Sequence, residues 1–148
     1  MTPRLDRFLE VAAAHLMVHT APALGPGYEQ ASVMILGLLL QAVREEAERS
    51  AARRVEENGV LRSLFRDALP LVGDPALRDR LASAAAERDE DLAISALERS
   101  NSGLRALLVE LHALVEETEG EAARRMEEAI WAELAASTER RRSSIGIF

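Results

Sequence analysis

The sequence predicts an all-α protein, a single-domain helical bundle of about four long helices plus two short ones. Three observations carry that expectation. The 148 residues include 26 alanines and a surplus of Leu, Arg and Glu, all strong helix formers. Only 3% of the chain is aromatic, and its sparse β-formers never alternate with polar residues over a strand's length. Apolar residues instead recur at spacings of three and four.

Each element follows from its own residues. Thr2-Pro3 supplies a capping hydroxyl and a proline preset for the first helical position. Leu5, Leu9, Ala12 and Leu16 then share one stripe, with Phe8 and His19 on its flank, which predicts a helix over 3–19. Two prolines and two glycines between Thr20 and Gly27 stop it. A second helix is predicted from Tyr28 to Asn58, with Asn58-Gly59 as its stop. Its first half, around Val33, Leu36 and Leu40, is apolar nearly all round and is expected at the buried centre of the fold. Its second half, Arg44 to Glu57, is charged, with Glu45/Arg49 and Arg53/Glu57 as pairs on a wet face. Leu61, Leu64, Phe65, Ala68 and Leu69 predict a short third helix closed by Pro70 and Gly73. Asp74-Pro75 starts a fourth, to about Arg88.

The run Glu87-Arg88-Asp89-Glu90-Asp91 reads as a turn or as the acidic first turn of a fifth helix. Ile94, Leu97, Asn101, Leu104, Leu108, Leu111 and Val115 keep a 3-4 spacing through that fifth helix, with Asn101 where an apolar residue is expected. Gly120 ends it, and Ala123, Met126, Ile130, Leu134 and Ser137 lay out a sixth to about Arg142. The domain is therefore expected to span 1–142, with a tail at 143–148. No repeat of 20 to 50 residues is present, which separates a bundle from a solenoid.

Composition excludes several kinds of chemistry. Every one of the 18 basic side chains is Arg, and there is no Cys. There is thus no thiolate nucleophile, no Schiff-base amine, no phosphate-loop lysine and no cysteine-held metal. A net charge of −7 repels phosphate backbones, so nucleic acid is not expected as a partner. The N-terminal stretch lacks the apolar core of a signal peptide, and the longest apolar run, Val33 to Leu40, is too short for the about 20 residues that cross a bilayer. A cytoplasmic location and no membrane span are expected. Abundant Ala with an Arg-only basic set suggests a GC-rich bacterial genome.

Few residues suggest a site. His15 and His19 are four apart on one helix face, and His112 could approach from the fifth helix to complete a three-histidine site for zinc, nickel or iron. No Glu-x-x-His or zincin motif supports it. Adjacent carboxylates such as Glu45/Glu46, Glu56/Glu57 and Glu116/Glu117 read as solvated faces interleaved with Arg. The glycines from Gly25 to Gly27 lie ahead of a helix N-terminus, but without lysine or phosphate-loop spacing they read as a simple helix break. Arg140-Arg141-Arg142 reads as the favourable cationic last turn of a helix. Asn101, with His112 eleven residues later on the same flank, marks a polar network and the place for a ligand contact. Met17, Met34 and Leu38 could line a gap for an acyl chain.

The order Pro22-Ala-Leu24, a long apolar-to-charged helix, Asn101-x-x-Leu104 and a final amphipathic helix resembles a small all-helical bacterial domain family of unknown function, found beside phosphotransferase-like and acyl-CoA dehydrogenase-like genes. The resemblance implies an accessory role near acyl or phosphoryl metabolism and assigns no catalytic residue or cofactor. The residues themselves point to a non-catalytic interaction module that self-associates as a dimer or meets a partner protein. The half-charged second helix and the stripe of the fifth would be its surfaces.

Overall fold

In a computed structural model, residues 4–142 are described; Thr2-Pro3 and the 143–148 tail lie outside them. The described residues contain no strand, and the chain is all-α. Its main helices are α1 (Leu5–Ala14), α2 (Tyr28–Ala68), α3 (Pro75–Ala86), α4 (Ile94–Glu117) and α5 (Glu121–Arg140). They sort into two compact units, one with described residues 4–50 and Arg142, the other with residues 51–141. Residues 28–50 of α2 belong to the first unit and 51–68 to the second.

In the first unit α1 does not run on as a plain α-helix. His15–Thr20 widens into a π-helical stretch, followed by one helical turn at Ala21–Ala23. Pro22 offers no N–H to the preceding turn and its ring crowds the carbonyl four residues back, so a wider winding relieves the crowding. Thr20 Oγ1 donates to the His15 carbonyl, five residues earlier, at 3.4 Å. Against α2, Met17 lies directly over Gly37, where an added Cβ would sit 2.3 Å from Met17 Cγ. The two helices approach there because Gly37 has no side chain. Gln30 Nε2 donates to the Ala21 carbonyl at 3.2 Å and ties the turn to α2.

The second unit holds the large core. Leu61, Leu64, Phe65 and Ala68 of α2 pack with Leu77 and Leu81 of α3, Leu104, Leu108, Leu111 and Val115 of α4, and Met126 and Ile130 of α5. The stripe read along the fifth predicted helix is therefore the inner face of α4, so it is not available as a dimer surface. Asp74 caps α3 as its spacing predicts, accepting from the Ala76 and Leu77 amides at 3.2 Å, with Pro75 at the first position. Gly120 joins α4 to α5 at φ 117°, a region that side-chain-bearing residues avoid.

The expected stop at Asn58-Gly59 does not occur, and the second and third predicted helices are one. Asn58 spends its side chain on distant partners instead of its own backbone, and the core stripe continues in phase through it. Gly59 is exposed, and an added Cβ would meet nothing within 4 Å. Gly59→Ala should therefore stabilise the protein by about 1 kcal/mol through helix propensity. A chemical denaturation midpoint that stays put or falls would contradict this. No helix among the described residues is long and apolar enough to cross a membrane.

Candidate functional site

Two features stand out, one in each unit. In the second unit, polar side chains occupy core positions of α2. Arg54, Glu57, Asn58, Leu61 and Phe65 lie on one helical face, so Glu57 and Asn58 point inward with the core leucines and both are 0% exposed. A buried carboxylate is costly unless it is paired and hydrogen-bonded throughout. Glu57 is. Arg54 Nη1 donates to its Oε2 at 2.6 Å, Ser137 Oγ to its Oε1 at 2.8 Å, and Arg141 to both oxygens at 3.3 Å. Arg105 Nη2 lies 3.7 Å away. Burial alone would raise the carboxyl's pKa, but hydrogen bonds from Arg141 and Ser137, the charge of Arg141 and the hydrogen bond from Arg54 hold it down at about 2.

Asn101 links this carboxylate to a second buried acid. Its Nδ2 donates to Asn58 Oδ1 at 2.9 Å and its Oδ1 accepts from Arg105 Nε at 3.0 Å. Asn58 Nδ2 in turn donates to both oxygens of Asp89, at 3.2 and 3.1 Å. Arg62 clamps Asp89 with two parallel bonds of 2.9 and 2.8 Å, and Ser100 Oγ donates to it at 3.2 Å. The Arg62 guanidinium is the main reason that Asp89 titrates below its ordinary range. Asp89 comes from the acidic 87–91 run, which is neither a turn nor a first helical turn but an irregular segment leading into α4, its other residues exposed and Asp89 folded inward.

Sequence reasoning found Asn101 and missed its partners. The Glu56/Glu57 pair divides: Glu56 stays exposed while Glu57 is enclosed. Arg140 completes α5 as its position predicts, but it also pairs with Glu133 and, at 3.6 Å, with Glu56. Chemically the Glu57 carboxylate is saturated, although Arg62 Nε elsewhere in the network is enclosed without a hydrogen-bond partner. Glu57 is ionised, its oxygens are occupied by cationic and hydroxyl donors, and it has no proton to give at neutral pH. Such a network fixes the register of α2, α4 and α5 against one another.

The histidines are distributed over both units. His15 and His19 are neighbours in the first, with ring centroids 5.5 Å apart. His112 belongs to the second, its ring meeting the edge of Trp131 at 5.3 Å and its Nε2 lying 3.6 Å from Glu116 Oε1. Among the described residues, no hydrogen bond ties His112 to the Asn101 network. Met17 is seated on Gly37 with Gln41 Nε2 3.7 Å from its sulfur, while Met34 and Leu38 are half-buried.

The second feature is the apolar surface of the first unit. Its buried apolar residues are Leu9, Ala13 and Ala21, whereas Leu5, Phe8, Val11, Val18, Ile35, Leu36 and Val43 are each more than half exposed. The apolar first half of α2, expected at a buried centre, is thus open to solvent on the face of Ile35, Leu36 and Leu39, while Val33, Met34, Leu38 and Leu40 are half-buried. The reason is local: in the hairpin, α1 covers only the side of α2 that carries Gly37. No protein-family model, curated protein or solved structure matches this chain.

Proposed function

We propose that the protein is a non-catalytic interaction module that forms a homodimer through the N-terminal hairpin. The observation that carries this reading is the unpartnered stripe of α2. At 100° per residue, Tyr28, Ile35, Leu36, Leu39 and Val43 fall within an arc of about 100°, the width of a packing face, and all five are exposed. A large apolar patch on an otherwise charged protein marks an association surface. A second copy is the occupant that fits. Two identical helical hairpins complete a four-helix arrangement by burying the same stripe on each, the isologous geometry of a twofold dimer.

The fully paired carboxylate of Glu57 supports a structural role for the polar core of the second unit. The layout resemblance adds an accessory role beside acyl or phosphoryl metabolism, in the bacterial cytoplasm. Light scattering coupled to size exclusion tests the dimer. At micromolar concentration the mass should be twice the 16.2 kDa of the chain, and Leu36→Glu with Leu39→Glu should return it to one chain without loss of helicity. A wild-type peak at a single chain's mass would refute self-association.

A further inference from the structure

We propose that His112, Glu116 and Glu127 form a binding site for a divalent first-row transition-metal ion of the zinc type. His112 and Glu116 are one turn apart on α4, and Glu127 faces them from α5, across the turn at Gly120. One ligand atom from each lies within 4.8 Å of the other two. In His112, Nε2 is enclosed and has no hydrogen-bond partner. An enclosed ring nitrogen without a partner is unfavourable and needs an explanation.

The spacing supplies one. Glu116 Oε1 is 3.6 Å from Nε2, too far for a hydrogen bond. Two ligands held about 2.1 Å from one tetrahedral ion are themselves about 3.4 Å apart, so this pair already stands at nearly the separation an ion would impose. Glu116 is exposed and Glu127 only half-buried, so small side-chain rotations bring in the third oxygen. One imidazole and two carboxylates suit zinc, whereas magnesium prefers oxygen ligands and retains its waters. A fourth position stays open to water. The ligands come from residues that a search for Glu-x-x-His passes over: a His and a Glu four apart on one helix, and a Glu on the next.

Trp131, the chain's single tryptophan, lies against His112 and reports on the site. The test uses the full chain without an affinity tag, with His15 and His19 both changed to Ala so that this second histidine pair cannot take up metal. Titration with zinc chloride should give one ion per chain by calorimetry and a saturable change in Trp131 emission. Glu127→Gln should weaken binding by about 10-fold or more, and His112→Gln should abolish the emission change. Glu128→Gln, its exposed neighbour, should behave as the parent. Circular dichroism establishes that each variant is folded, and Glu127→Gln, at a half-exposed position, decides the question if His112→Gln does not fold. Absence of saturable binding, or binding unaltered by Glu127→Gln, would overturn the proposal.

Discussion

Glu57→Gln is expected to destabilise the protein by about 3–5 kcal/mol, the range for removing one partner of a buried ion pair. The substitution preserves shape and removes only charge. It leaves Arg141 without its counter-charge and Arg54 with only the more exposed Glu98, and it turns an amide N–H₂ toward cationic donors. The adjacent Glu56 provides the control. Its side chain is 61% exposed and only 3.6 Å from Arg140, a surface pair, so Glu56→Gln should shift stability by no more than about 0.5 kcal/mol. Urea denaturation of the two variants beside the parent measures both. Equal effects at 56 and 57 would mean that the enclosed carboxylate does not hold the helices together.

The second large effect is acid lability. The carboxyl of Glu57 titrates at about 2 in the folded protein and near its ordinary 4.5 once unfolded. Asp89 is displaced in the same direction by Arg62. A folded-state pKa below the unfolded one means that the unfolded chain binds the proton more readily, so falling pH drives unfolding. The contribution of Glu57 is complete above pH 4.5 and disappears as pH falls toward 2. The urea midpoint should hold steady from neutrality to about pH 5 and then drop steeply. In Glu57→Gln the neutral plateau should be lower and the acid limb shallower. Parallel limbs in parent and variant would assign the acid sensitivity to other groups.

These effects arise from residues whose local pattern is ambiguous. The α3 cap was legible because Asp74-Pro75 acts within its own turn. The stripe from Leu97 to Val115 was legible because an aliphatic face has one low-energy destination. Asn58-Gly59 misled because local propensity favours a stop, while the partners that hold Asn58 inside a helix are 31 and 43 residues away. Glu57 reads as a wet residue for the same reason, since charge in a helix is ordinarily solvated and its neutralising Arg141 is 84 positions distant. Only the phase of the stripe, carried from Leu61 back through Asn58, Glu57 and Arg54, held the signal. For the candidate metal site, His112 was noticed, but Glu116 and Glu127 were hidden among abundant carboxylates until the hairpin of α4 and α5 set them beside it. The open hairpin face was not foreseen, because an all-round apolar helix ordinarily implies burial within its own chain.

The long sequence separation around Glu57 also bears on how the protein is made. Translation delivers Glu57 and the leucines beyond it well before Ser137 and Arg141 have been polymerised. Until those residues clear the ribosome, closing α2 against α4 would bury a carboxylate that has Arg54 and Arg105 but lacks two of its donors, a less favourable state than in the finished core. Ser137 in the last turn of α5 and Arg141 just beyond it thus complete the pairing of the buried carboxylate last.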